Sequence, residues 1–220
     1  MKNKKTLYHF VIDQSGSMTG MEEFAIGGFN TQLRTIQTLQ QEKPDEEFLC
    51  SLTLFNGTVI DVVSQAPVEK LMALSDGYFR PSGSTALLDA IGKSIFNIKE
   101  RFENDIAEDK MSVVMVIITD GHENSSRMYT YHDIAQLIKT LEDTDKWTFS
   151  FLGADFDAIH TSQMLNIRRE NAMNFSKTGY FNMMDDLSDS IKAYSDSKSD
   201  GKLKKDLLDI FKNKDRREAK

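Results

Sequence analysis

The 220-residue chain has little cysteine, little proline and no long apolar run. Its one cysteine, Cys50, excludes an internal disulfide, and the apolar residues around it predict a buried thiol that only packs. Three prolines and twelve glycines exclude a collagen-like or Pro/Gly-rich disordered chain. No segment approaches about 18 consecutive apolar residues, and His9 and Asp13 interrupt the first apolar segment, so neither a membrane span nor a signal peptide is predicted. We therefore expect a cytoplasmic protein without a membrane partner.

The chain also lacks an excess of positive charge. Its formal net charge is −7, and nucleic-acid binding requires clustered Lys and Arg, so nucleic acid is not an expected partner. An apolar fraction of 40% with 28% charged residues is typical of a folded globular protein of this length. The acidic balance is compatible with divalent cations or basic partners, although its general effect is to keep a protein in solution.

Five runs of apolar and β-branched residues predict strands, and two of them, 7–12 and 112–118, are almost continuously apolar. Continuous apolar strands are typical of parallel sheets that are covered on both faces. The dipeptide Asn56-Gly57 joins two other runs and predicts a hairpin, hence one antiparallel strand at the edge of the sheet. The predicted strands cover residues 7–12, 48–55, 58–63, 112–118 and 147–153.

Apolar residues at helical spacing fall between these strands, as at Leu88, Ile91 and Ile95. Alternating strands and helices predict an α/β fold: a doubly wound, Rossmann-like, mostly parallel sheet with one antiparallel edge strand and helices on both faces. We assign residues 1–195 to this domain. Residues 196–220 are expected to form a charged linker and a short helix, because 194–205 is polar and Ser-rich.

Two predicted strands end on an acid, Asp13 and Asp120, and the carboxyl ends of parallel strands share one edge. Four interpretations compete for Asp13 and the serines that follow it. A phosphoryl-transfer aspartate of the haloacid dehalogenase type requires a second acid where Ser15 stands, and a serine nucleophile lacks the G-x-S-x-G elbow. A helix cap would explain one or two of these residues. A hard cation would use carboxylates together with the hydroxyls of Ser15 and Ser17.

A third segment, "PSGSTALLDAI" (81–91), presents Thr85 just before a predicted helix. Together with "DQSGSM" and "VIITDGHENSS", it resembles the von Willebrand factor type A (VWA) domain, in particular its compact bacterial stand-alone type. That family has a D-x-S-x-S motif, a separate Thr and a separate Asp, which together form a metal-ion-dependent adhesion site. All three segments occur here in the family's order, and the resemblance extends over roughly residues 6 to 195.

The resemblance implies a specific set of ligands for Mg²⁺, or for Mn²⁺ as its substitute. Ser15, Ser17 and Thr85 would provide hydroxyl oxygens directly, and Asp13 and Asp120 would act mostly through bound water and hydrogen bonds. It further implies a non-enzymatic protein-binding module, in which an Asp or Glu of a partner protein completes the coordination of the ion.

Three residues beside these motifs, Gln14, His122 and Glu123, are predicted to form a rim that contacts the partner. Asp89 lies in the first turn of its helix, where an acid favours the helix dipole. Two other functions remain open: a Mg²⁺-dependent phosphatase or phosphotransferase that uses Asp13, and a scaffold with a vestigial metal site that binds its partner through the C-terminal helix.

Overall fold

The computed structural model describes residues 4–154, 158–176 and 179–199. The strands are β1 (Lys4–Asp13), β2 (Glu46–Phe55), β3 (Val59–Pro67), β4 (Met111–Thr119), β5 (Trp147–Ala154) and β6 (Ala172–Phe175). The helices are α1 (Glu22–Glu42), α2 (Leu87–Ala107), α3 (Tyr131–Glu142), α4 (Ala158–Met164) and α5 (Tyr180–Ser199). None of these helices is long and apolar enough to cross a membrane.

The strands form one sheet in the order β3-β2-β1-β4-β5-β6, in which only the β2–β3 pair is antiparallel. This confirms the predicted α/β class and the antiparallel edge strand. The hairpin turns at Asn56, whose Oδ1 accepts a hydrogen bond from the Thr58 N–H at 2.9 Å. β3 then extends to Pro67, four residues beyond the predicted end of the strand.

Helices cover both faces of the sheet, which explains the continuous apolar run in β1. Tyr8, Phe10 and Ile12 pack toward α1 and α5, while Leu7 and Val11 pack toward α2 on the opposite face. All five side chains are at most 1% exposed. Because neither face of this strand is exposed to water, its apolar residues are almost continuous and do not alternate with polar ones.

The start of the predicted C-terminal linker is helical, since α5 continues to Ser199. Tyr194 packs edge-on against Tyr8, with ring centroids 6.3 Å apart. One turn later, Lys198 Nζ donates hydrogen bonds to the Lys5 carbonyl and to Thr6 Oγ1. These contacts at i and i+4 hold a polar, Ser-rich segment against the sheet. Residues 200–220 lie outside the described residues, so the proposed division of the chain remains a prediction.

Candidate metal site

Two strands end side by side where the winding of the sheet reverses. β1 leads to β2 on one side of the sheet, and β4 leads to β5 on the other. β1 and β4 are parallel neighbours, with Ile12 opposite Ile118. Asp13 closes β1 and Asp120 follows directly after β4, so both acids reach one edge. This is the crevice in which open α/β sheets bind ligands.

The Asp13 carboxylate is fully buried and organises the loop that follows β1. Its Oδ1 accepts a hydrogen bond from the Ser15 N–H at 2.7 Å, and its Oδ2 accepts one from Thr119 Oγ1 at 2.6 Å. Burial raises the pKa of Asp13 to about 6, although these hydrogen bonds oppose the rise. A divalent cation at this edge would favour the charged carboxylate, because opposite charge lowers a carboxyl pKa.

The two serines and Asp120 form a line of oxygens that runs from the interior to the surface. Ser15 Oγ and Ser17 Oγ lie 3.1 Å apart, within hydrogen-bonding distance. Ser17 Oγ donates a hydrogen bond to Asp120 Oδ1 at 2.6 Å. Ser15 is buried and Ser17 is exposed. The one-residue spacing of the hydroxyls, which the sequence predicted to be functional, thus places both of them on one side of the turn.

Thr85 reaches the same edge from the loop before α2, and Asn124 holds it there. The Thr85 N–H donates to Asn124 Oδ1 at 2.9 Å, and the Asn124 N–H donates to the Thr85 carbonyl at 3.0 Å. Thr85 is buried, at 3% exposed, and its backbone is held by these two hydrogen bonds. The sequence did not predict this role for Asn124, whose only signal is its place four residues after Asp120.

Gly121 shows that the three segments converge on one point. A Cβ atom at Gly121 would lie 3.3 Å from Thr85 Oγ1, 3.4 Å from Ser17 Oγ and 3.8 Å from Asp13 Oδ2. Oxygens from two distant parts of the sequence, 13–17 and Thr85, therefore approach one small volume beside Gly121 in the third. The absence of a side chain at Gly121 leaves that volume open.

Gln14 joins the β1 loop to the Thr85 loop instead of forming part of an exposed rim. It is 5% exposed, its carbonyl accepts from the Ser82 N–H at 2.9 Å, and its own N–H donates to the Phe55 carbonyl. The Gly16 N–H donates to the carbonyl of Gly83, which has a φ of +73° that favours glycine. The expectation that Gln14 would be an accessible rim residue therefore does not match its burial.

Glu123 has a structural role that the sequence did not predict. Its Oε1 accepts from the N–H groups of Ser125 and Ser126, and its Oε2 accepts from the Leu88 N–H at 3.1 Å. Glu123 therefore caps the start of α2, whose own N-cap residue is an alanine without a side-chain oxygen. Among the three predicted rim residues, only His122 is exposed.

Asp89 links α2 to the chain that follows the Asp120 loop. Its carboxylate accepts hydrogen bonds from the N–H groups of Arg127, Met128 and Tyr129, at 2.9 to 3.1 Å. The predicted position in the first turn of the helix is correct. Its contacts, however, stabilise a neighbouring segment that itself leads to α3.

The donor set at this edge fits a hard cation that keeps part of its water shell. Cis ligands of an octahedral Mg²⁺ lie about 3 Å apart, given metal–oxygen distances of about 2.0–2.1 Å. The 3.1 Å between Ser15 Oγ and Ser17 Oγ matches that spacing. The described residues contain no group of three or more His, Cys, Asp or Glu suited to a metal. Any ion here would depend on neutral hydroxyls as much as on carboxylates.

No family model and no curated protein matches the sequence. Solved structures do match the fold, at low identity. A von Willebrand factor type A protein from Catenulispora acidiphila is 13% identical with a TM-score of 0.58. The match covers 86% of this chain and 43% of the Catenulispora chain. Proximal thread matrix protein 1 from the mussel byssus, with a zinc-occupied metal-ion-dependent adhesion site, is 12% identical with a TM-score of 0.56, covering 84% and 45%.

The pilus adhesin SpaC from Lactobacillus rhamnosus GG, in an open conformation, is 13% identical with a TM-score of 0.65, and the match covers 87% of this chain and 30% of the adhesin. The chain thus spans less than half the length of each of these three proteins. Their likeness confirms the VWA fold that the three sequence segments predicted. It does not by itself assign their ligands to this chain.

Proposed function

We propose that this protein binds one divalent cation through Ser15, Ser17 and Thr85, and uses it to recognise a protein partner. Asp13 and Asp120 would balance the charge through water and through their bonds to the serine loop. The observation that carries the proposal is the convergence of Asp13, Ser17 and Thr85 oxygens around Gly121. Mg²⁺ is the expected ion, with Mn²⁺ as a substitute, because oxygen donors suit both.

The chemistry of the donors favours binding over catalysis. Both Asp13 oxygens already accept hydrogen bonds, from Ser15 and Thr119, so the carboxylate is held in place and is poorly disposed to act as a nucleophile. A cation held mainly by neutral hydroxyls retains affinity for an additional anionic ligand. An Asp or Glu side chain of a partner is the ligand that fits. Two proteins of similar fold, the byssus protein with bound zinc and the pilus adhesin, support this proposal through their fold alone.

Isothermal titration calorimetry with Mg²⁺ and Mn²⁺ tests the cation site. We expect Thr85→Val, which keeps the side-chain shape but removes one oxygen, to weaken cation binding at least tenfold. Thr140→Val on the exposed surface of α3 is the matched control and should bind like the wild type. Absence of cation binding in the wild type, or full binding in Thr85→Val, would contradict the proposal.

Partner recognition is tested by affinity capture in Mg²⁺ against EDTA, repeated with Asp120→Ala. Capture should require both the cation and Asp120, and replacing one acidic residue of the captured protein should abolish it. Capture that survives EDTA would instead favour the scaffold with a vestigial metal site. Hydrolysis of p-nitrophenyl phosphate with Mg²⁺, lost in Asp13→Asn, would favour the phosphatase. The cytoplasmic location remains a prediction from the sequence.

A further inference from the structure

A cavity of about 240 Å³ opens beside the candidate metal site, on the side of β2 and β3. Its walls include Leu54, Ile60 and Val62, together with Tyr78 and Arg80 from the loop that precedes Thr85. Pockets that enclose a whole small-molecule ligand measure about 300–1,000 Å³. The size of this cavity suits one side chain of a larger partner better than a free ligand or cofactor.

Two large apolar side chains that line the cavity are exposed to solvent. Ile60 is 48% exposed and Tyr78 is 54% exposed, while Leu54 is only 1% exposed. The cavity lining therefore combines exposed and buried apolar side chains. An arrangement of this kind is typical of a site that accepts an anchoring side chain at a protein interface.

Gln14 connects this cavity to the proposed cation ligands. It lines the cavity and stands between Asp13 and Ser15 in the sequence. Its carbonyl accepts from the Ser82 N–H at 2.9 Å, and its Oε1 accepts from the Arg80 N–H at 3.4 Å. Because these hydrogen bonds join the cavity wall to the serine loop, a ligand in the cavity and a ligand on the cation would occupy positions fixed relative to each other.

We infer that the cavity binds an aliphatic or aromatic side chain from the same partner segment whose acidic residue binds the cation. The inference rests on the proposed function. Because Gln14 both lines the cavity and precedes Ser15, the two partner residues should lie near each other in sequence. Arg80 at the cavity and the cation beside it both repel positive charge, which excludes Lys and Arg as occupants.

Peptides of defined sequence test this inference on the full-length chain in saturating Mg²⁺, by NMR titration. The reference is a seven-residue glycine peptide with one central Glu; six further peptides carry Leu at each other position. We expect one or two adjacent positions of Leu to tighten binding about tenfold over the reference, because burial of an apolar side chain contributes on that scale. Lys at the same positions should give no gain.

Variants identify the cavity as the source of the gain. Ile60→Asp should remove the tenfold gain but leave binding of the reference peptide unchanged, and Tyr78→Ala provides a second variant in a surface turn. Phe96→Asp on α2, where the wild-type side chain is 59% exposed, is the matched control and should keep the gain.

The outcomes separate the inference from the function on which it rests. Equal binding of all peptides, or a gain that persists in Ile60→Asp and Tyr78→Ala, overturns the cavity assignment while Mg²⁺-dependent binding of the reference peptide upholds the cation site. A reference peptide that binds equally in Mg²⁺ and in EDTA contradicts the proposed function itself, and the cavity assignment fails with it.

Discussion

β1 carries two polar clusters, four residues apart, that differ in what they leave available. In the middle of the strand, His9 Nδ1 lies 2.7 Å from Ser51 Oγ, and Thr53 Oγ1 donates to Asp61 Oδ1 at 2.7 Å. These four residues, the His9 cluster, bond mainly to one another across adjacent strands, and the exposed Asp61 also accepts from Asn97 Nδ2 at 3.1 Å. The second set, the Asp13 cluster, consists of Asp13, Ser15, Ser17 and Thr119. It lies at the end of the strand, where Ser17 is exposed.

The comparison shows that residue types alone do not define a site. Both clusters contain an acid, a serine and a threonine, and each runs from buried residues to an exposed one, Asp61 in the first and Ser17 in the second. In the His9 cluster, adjacent strands place the donors opposite the acceptors, with His9 paired to Ser51 in register. At the Asp13 cluster, the loop after β1 and the loop before α2 direct oxygens toward a shared volume at Gly121. A cavity of about 240 Å³ also opens beside His9, Thr53 and Asp61, but Arg101 lines it and disfavours a cation, whereas the atoms nearest the volume at Gly121 are oxygens.

The largest expected effect is a pH dependence of stability from the His9 cluster. Burial lowers the pKa of His9 to about 4, from a usual value of 6.5. Between these values the unfolded chain binds a proton that the folded chain does not, so stability is lost as the pH falls from about 6.5 to about 4. The loss attributable to His9 should approach about 3 kcal/mol.

Urea unfolding at pH 7.5 and pH 4 in EDTA, for the wild type and His9→Gln, measures this difference. Asp13 contributes with the opposite sign, because burial raises its folded pKa to about 6 and its stability contribution falls as pH rises through that range. The contribution of Asp13 cancels when the change in unfolding free energy of His9→Gln is subtracted from that of the wild type. Identical pH dependence in the two proteins would show that folding does not lower the pKa of His9.

Removing the charge of Asp13 should have the next largest effect, on cation affinity. Asp13→Asn keeps the acceptor for the Ser15 N–H but removes the negative charge, so we expect a loss of at least about 100-fold, or about 2.7 kcal/mol. His9→Gln is the matched change in the other cluster and should alter the affinity less than twofold. Calorimetry with Mn²⁺ measures both; equal losses would mean that the two clusters do not differ as described.

Filling the volume at Gly121 should have a smaller effect. In Gly121→Ala, the new methyl group would lie 3.3 Å from Thr85 Oγ1 and 3.4 Å from Ser17 Oγ, where the ion or its water is expected. Cation affinity should fall about tenfold, while the free energy of unfolding in EDTA changes by less than about 1 kcal/mol. An unchanged affinity would place the ion outside this volume.

The smallest expected effect comes from the residue that positions Thr85. Asn124→Ala removes the acceptor for the Thr85 N–H but no proposed ligand, so we expect about a fivefold loss of cation affinity. Asn124→Asp keeps the acceptor and should recover most of the affinity. A loss in Asn124→Ala that Asn124→Asp does not rescue would argue against a positioning role.

The parts of the fold that depend on local pattern could be predicted from the sequence. Continuous apolar runs identified β1 and β4, and Asn56-Gly57 identified the antiparallel hairpin, because these signals reside in neighbouring residues. The order of the motifs also brought Asp13, Thr85 and Asp120 to one edge. What remained hidden were contacts between distant segments, such as the cap that Glu123 provides for α2 and the burial of Gln14 under the 80–82 loop.

The polar segment 194–199 shows why local composition was insufficient. It contains three serines, which favour a linker, yet its helix is held by the buried contacts of Tyr194 and Lys198. In this segment tertiary contacts outweigh local preference.

The anomalous signal of Mn²⁺ in a crystal of the full chain would locate the cation by direct observation. We expect a single strong peak beside Gly121, in direct contact with the hydroxyl oxygens of Ser15, Ser17 and Thr85. A peak bound elsewhere, or none at this edge at saturating Mn²⁺, would contradict the proposed cation site.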